Sequence, residues 1–271
     1  VMFMDKIVVV RGGGDVSTGS IQRLHRAGFK VLVLEIPKPT AIRRTVALSE
    51  AINDGETKVE DVIAKRIEKV EDAEAVWAEG KVAMMVDPKC ESIDKIKPVA
   101  VVDAIIAKKN LGTNIDMAPI VIGLGPGFVA GKDVDIVIET NRGHNLGRLI
   151  FEGPASANTG NPGNINGYTV ERVLYSPGEG NIQNIKDIGD FVEKDETIAT
   201  VAGKPVKAKL TGIVRGLIKH NTYVTEGFKI GDVDPRSDQI ENCYTISDKA
   251  RAIGGATLEA VMLMMNRKGL I

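Results

Sequence analysis

A β-branched run, Ile7-Val8-Val9-Val10, leads straight into Arg11-Gly12-Gly13-Gly14-Asp15 and on through Ile21, Leu24 and His25 to Gly28. No other stretch limits the fold so strongly. A short apolar run that meets glycines reads as a buried strand. The glycines let the backbone turn at once and approach a ligand with no side chain in between. Ser17 or Thr18 is placed to cap the helix that follows. Strand, glycine loop and helix N-terminus aim amides and the positive end of a helix dipole at one spot, which suits an anion. Lys30 to Glu35 predicts a second strand. It ends in an acid about 20 residues after the loop, where dinucleotide folds hold a ribose. Gly12 and Gly14 match the glycine fingerprint, but Ser17 stands at its third position. The same residues also fit a tight turn that binds nothing.

Strand and helix patterns alternate up to about residue 150. Ala41 to Asn53 reads as a helix, and Val59, Val62, Ile63, Ile67 and Val70 follow helical spacing. Val82–Val86, Val99–Val102, Ile120–Ile122 and Val134–Ile138 read as further strands. Such alternation predicts an α/β chain, a Rossmann-like doubly wound parallel sheet over residues 1–152. Loops at the carboxyl ends of parallel strands share one edge, where ligands bind. On that edge fall the glycine loop, Asp87-Pro88, Lys108-Lys109-Asn110, Gly123-Leu124-Gly125-Pro126-Gly127 and Asn141-Arg142-Gly143-His144-Asn145. Residues 153–167 are rich in Gly, Asn and Pro, either a boundary or a ligand lid.

Over 168–235 the period shortens to strand pieces separated by turns, which resembles the barrel-sandwich hybrid of biotinyl and lipoyl carriers. The turn Gly203-Lys204-Pro205 has no flanking methionine, so Lys204 is expected to stay unmodified. Residues 236–271 return to helix, with Ser247 as the cap, and this helix is expected to dock on the first domain. Gly254-Gly255 inside it suggests close packing on another backbone.

The bulk figures narrow the function. A net charge of -1 argues against nucleic acid or membrane partners. No apolar run reaches the roughly 20 residues of a membrane span. Val1 to Lys6 lacks a signal-peptide layout, so the expectation is cytoplasmic. Cys90 and Cys243 lie far apart, and neither they nor the 3 histidines have zinc spacing. His144 beside Arg142 on the ligand edge pairs a proton carrier with a phosphate grip, although a satisfied loop network also fits. Cys243 precedes a helix N-terminus whose dipole would favour a thiolate, with an inert buried thiol as the alternative. Cys90 is a second thiol candidate. Arg43-Arg44 and Lys108-Lys109 suit anionic ligands or solvated faces.

Several segments together resemble the YqeB family: Val9 to Val16, Leu34 to Thr45, Ala107 to Thr113, Gly123 to Phe128, Glu139 to Arg148, Asn158-Thr159-Gly160 and Ile246 to Arg251. The resemblance implies an accessory role in maturing selenium-dependent molybdenum hydroxylases, with the hydroxylase client and other maturation factors as partners. The implied ligand is molybdopterin in its dinucleotide form, or a nucleotide such as NAD. On that reading Gly12, Gly13, Gly14 and Asp15 cradle phosphate, and Glu35 holds a ribose. Arg43, Lys109, Gly125, Gly127 and Arg142 complete the pocket, and His144 and Cys243 are the catalytic candidates. A stand-alone nucleotide-dependent oxidoreductase and a scaffold for the client are the alternatives. Self-association is left open.

Overall fold

The computed structural model describes residues 6–158, 160 and 165–270. The chain forms two compact units, one of residues 1–39, 47–158 and 246–271, the other of 40–46 and 159–245.

The first unit opens with β1 (Ile7–Arg11), α1 (Asp15–Arg26), β2 (Lys30–Glu35) and the short α2 (Ala51–Asp54). It continues through β3 (Glu56–Val59), β4 (Val62–Arg66), α3 (Ala73–Ala78), β5 (Val82–Val86) and α4 (Ile93–Ile96). Then come β6 (Ala100–Asp103), β7 (Ile120–Leu124), β8 (Val129–Ala130), β9 (Ile136–Ile138), β10 (Leu149–Ile150) and β11 (Gly153–Pro154). A long helix, α5 (Asp248–Arg267), completes it. The main sheet has 9 strands in the order β10-β9-β7-β6-β1-β2-β5-β4-β3. All are parallel except the two edge strands, β3 and β10, which pair antiparallel.

Alternation along each strand sends side chains to both faces. Val9, Leu32, Ala83 and Val101 meet Ala73 and Val76 of α3 and Ile93 of α4 on one face. On the other side α1 and α5 pack together, and α5 also touches β7 and β9. Each fully buried aliphatic side chain here contributes roughly 1.5–3 kcal/mol.

The helix pair explains the glycines inside α5. A Cβ on Gly254 would overlap the Gly19 carbonyl, and one on Gly19 would overlap that of Ala250. The backbones can meet only because both side chains are missing. Ser20 and Thr257 hydroxyls share a hydrogen bond of 2.9 Å at this buried crossing. Ser247 caps α5, its Oγ accepting from the Ala250 amide.

Two expected helices are not formed. Val59 and Val62 face each other across a two-residue turn, so β3 and β4 are a hairpin. Glu60 takes a left-handed φ of 52° there, which closes the turn and ends any helical register. Ala41–Asn53 is broken into turns, Arg44–Val46 and Leu48–Glu50, before α2. The Leu48 amide donates to Thr18 Oγ1 and the Ser49 amide to the Gly13 carbonyl, so long-range bonds replace helical ones.

The second unit contains β12 (Val173–Tyr175), β13 (Gly180–Asn184), β14 (Phe191–Val192), β15 (Thr197–Val201), β16 (Lys204–Lys207), β17 (Gly212–Leu217), β18 (Tyr223–Val224) and β19 (Lys229–Asp234). They form two 4-stranded antiparallel sheets, β12-β19-β17-β14 and β16-β15-β13-β18. Leu174, Ile182, Val201, Val214, Leu217 and Ile230 from the two sheets share one core. Thr40–Val46 joins this unit, with the Leu217 amide donating to the Ile42 carbonyl.

Candidate functional site

The carboxyl edge of the large sheet gathers the ends of β1, β2, β5, β6, β7 and β9. The helix α1 starts directly at Asp15, with Gly14 as its N-cap and no side-chain cap. Ser17 and Thr18 lie inside the helix and bond backwards, Ser17 Oγ to the Gly12 carbonyl at 2.5 Å and Thr18 Oγ1 to that of Gly14 at 2.9 Å. The three glycines have different tasks. Gly12 has φ 88°, and a Cβ on it would lie 3.1 Å from the Ile105 backbone. Gly13 donates its amide to Glu35 Oε2 at 2.8 Å. Gly14 alone faces open space, with nothing within 4 Å of a Cβ built on it.

Glu35 therefore closes on its own loop, its Oε1 also accepting from the Ile36 amide at 2.8 Å. Burial pushes its carboxyl up, against the pull of those two amides. Next to it the ends of β1 and β6 are sealed. Arg11 donates to Asp103 at 3.2 Å, to Thr113 Oγ1 and to the Leu111 carbonyl. Thr113 Oγ1 donates to Asp103 at 2.6 Å. The Arg11 and Asp103 side chains are only 5% and 2% exposed. Cys90 lies near this cluster, and burial above all pushes its thiol up to about 11. Asp87 accepts from the Ser92 amide and hydroxyl and so fixes the turn into α4.

Gly125 and Gly127 were expected to admit a cofactor, but the protein itself fills the space beside them. A Cβ on Gly125 would lie 2.6 Å from Thr140 Oγ1, and one on Gly127 would lie 2.7 Å from the Lys109 Cα. Gly127 thus lets the loop after β7 press on the loop after β6, which leaves the Lys109 side chain exposed.

The loop after β9 turns the edge outward. Glu139 accepts from the Asn141 and Ser156 amides at 2.8 Å each. Burial alone would raise its carboxyl, but these amides hold it below the usual range. Arg142 grips Asp248, in the first turn of α5, through two hydrogen bonds of 2.9 Å. Its guanidinium is thus engaged by a carboxylate, although it stays at the surface. That bidentate contact holds Asp248 well below the ordinary aspartate range. His144 is exposed in the same loop.

Lys249 is the residue that motif reading overlooked. It follows Asp248 in the first turn of α5 and is half-buried. Burial first, then Arg142, pushes its amine below the usual lysine range, while Asp15, Glu139 and Asp248 pull it up. Its ammonium makes no direct hydrogen bond or ion pair among the described residues. A lysine in the first turn opposes the helix dipole. That conflict, inside the segment Ile246 to Arg251, was the available signal.

Two candidates lie in the other unit. Arg43 donates to the Asn242 and Thr245 carbonyls at 2.8 and 3.4 Å, tying residues 40–46 to the end of that unit. Cys243 ends the short turn Ile240–Cys243 and is 2% exposed. Its Sγ lies 3.9 Å from the Val214 carbonyl, and burial pushes its thiol up. The thiolate expected from a helix dipole is therefore corrected: α5 starts only at Asp248, and its cap is Ser247. Lys204 lies just after the Ala202–Gly203 turn between β15 and β16, exposed, donating to the Pro177 carbonyl at 3.3 Å. Among the described residues no three His, Cys, Asp or Glu side chains converge as a metal site. Among them no helix is long and apolar enough to cross a membrane.

The structure thus defines a mixed α/β protein with a large parallel-containing sheet and a C-terminal helix. No family model matches the chain. An uncharacterized protein, YqeB, of Escherichia coli (strain K12) is 50% identical over 262 residues, 97% of this chain and 48% of the relative. That likeness supports the YqeB resemblance seen in the motifs, and the chain spans about half the length of this curated relative. Solved structures give only faint likeness. An aspartoacylase family protein from Mesorhizobium loti has 11% identity and a TM-score of 0.27, covering 84% of each chain. The ectoine utilization protein EutE (DoeB) from Ruegeria pomeroyi, with product bound, has 11% identity and a TM-score of 0.23, covering 84% of this chain and 57% of that one. At such scores the likeness carries no argument.

Proposed function

We propose that this chain is a cytoplasmic accessory protein in the maturation of selenium-dependent molybdenum hydroxylases. It binds a nucleotide or the molybdopterin cofactor at the carboxyl edge of a Rossmann-like sheet and assists selenium incorporation. The motif resemblance and the likeness to YqeB support the family context. One observation carries the ligand site: the open face of Gly14 at the start of α1, in a corner where Lys249 has no direct partner among the described residues. Amides at a helix start and a nearby ammonium suit a phosphate. Asp15 and Glu139 limit the positive charge of that corner.

In this reading Gly14 and the first turn of α1 receive the phosphate. Lys249 balances its charge, and Arg142 adds to it when released from Asp248. Glu35 accepts from a ribose when it turns from Gly13, and His144 carries a proton at the rim. The cofactor, when bound, supplies the molybdenum that takes selenium. Cys243, being buried, does not carry the selenium, and a partner delivers the donor. The second unit serves as a barrel-sandwich docking module. Its exposed Tyr175, Tyr223 and Phe228 favour the scaffold reading for that half, since aromatic residues are enriched at interfaces.

The test is elemental analysis of the hydroxylase from a deletion strain and a restored strain. Molybdenum and pterin should remain while selenium is depleted, and Cys243→Ser should restore selenium as the wild type does. Normal selenium in the deletion strain would end the maturation reading. Failure of Cys243→Ser, in soluble protein at normal amount, would return the thiol to the mechanism.

A further inference from the structure

The opposite end of the sheet holds a cavity of about 750 Å³ that opens broadly to solvent. Pro98, Pro119 and Asp135 line it just before β6, β7 and β9, and Lys268 reaches it after α5. This volume lies within the range of small-molecule sites, roughly 300–1,000 Å³. The floor is apolar, from Ile93, Met117 and Ala118, which also pack on the sheet's buried clusters.

The polar groups are of two kinds. Lys268 is already committed, donating to the Pro119 carbonyl at 2.6 Å and to Asp135 at 2.8 Å. Asp135 also accepts from the Val121 amide at 2.7 Å, so that pair is structural. Asp94 and Asp116 are different. Both are exposed residues on the lining of the same cavity, and their carboxylates make no hydrogen bond or ion pair among the described residues. Lys97 is the remaining cation, and it balances one of them at most.

We propose that this cavity binds a small organic cation, an amine or guanidinium carried on an apolar body. The body lies over Ile93 and Met117, and the charged head meets Asp94 and Asp116. An ordinary anion such as phosphate is disfavoured by the surplus carboxylate. This inference stands apart from the maturation reading, because it uses none of the glycine-loop residues.

The probes are phenethylamine, 2-phenylethanol and phenylacetate, which share a body and differ in head charge. Binding is followed by ligand-observed NMR and calorimetry on the full chain. The amine should bind saturably, with the alcohol and the carboxylate at least about tenfold weaker. Asp94→Asn combined with Asp116→Asn should weaken the amine about tenfold or more at unchanged melting temperature. Gly14→Val should leave amine binding intact. Equal binding of amine and alcohol, wild-type affinity in the double variant, or no saturation of the amine below about 10 mM would overturn the proposal.

Discussion

Where β1 and β6 end, Arg11, Asp103 and Thr113 satisfy one another and shut out water. Where β9 ends beside the first turn of α5, Arg142 and Asp248 pair at the surface, and Lys249 is left without a direct partner among the described residues. Both regions lie on the carboxyl edge of one sheet, and both are built from cations and carboxylates. The first uses its charges to fix loops. The second keeps an ammonium half-buried, its desolvation offset only in part by Asp15, Glu139 and Asp248, and a perturbed group of that kind is what the proposed phosphate site rests on. A glycine-rich loop therefore does not by itself say where a ligand goes. Two of its three glycines serve the protein's own packing and hydrogen bonding, and only Gly14 opens outward.

The sealed region should break hardest. Arg11→Met leaves Asp103 buried without its cation, and breaking such a pair costs about 3–5 kcal/mol. Urea unfolding should show that loss; a cost under about 1 kcal/mol would mean that the cluster is not closed as described. Next comes the helix crossing that holds α5 near the loop after β9. Gly254→Val forces a side chain into the Gly19 backbone and should cost about 1–3 kcal/mol or more, read as a lower melting temperature. An unchanged melting temperature would show that the helices are free to separate.

Much of this fold is legible in the sequence. The strands Lys30–Glu35 and Val82–Val86, the Ser247 cap and the close contact at Gly254 follow from apolar runs, a capping residue and a costly helical glycine. The segments from 41 to 70 are not legible in the same way. Their helical spacing is overruled by bonds to Thr18 and Gly13 and by a hairpin turn at Glu60, which are long-range or conformational facts. Beside Gly125, Gly127 and Cys243 the structure places the protein's own atoms, which the residue types alone do not announce. Sequence cannot say whether the space beside a glycine or a thiol belongs to a ligand or to the protein itself.

The smallest expected effect sharpens the open side of the comparison. Arg142 lowers the Asp248 pKa, so their contact stabilises the fold above the ordinary aspartate value, about 4, and the gain is lost as pH falls through the lowered folded value. Arg142→Gln should melt slightly below wild type at pH 7, and the gap should close in acid. A gap that persists in acid would assign Arg142 a role other than its bond to Asp248.

The open corner at Gly14 and Lys249 is tested most directly by calorimetric titration with a molybdopterin dinucleotide. Wild type should bind. Gly14→Val and Lys249→Met should each weaken binding by at least about tenfold while keeping the wild-type circular dichroism spectrum. Equal affinity in all three proteins would place the ligand elsewhere and contradict a phosphate site at that corner.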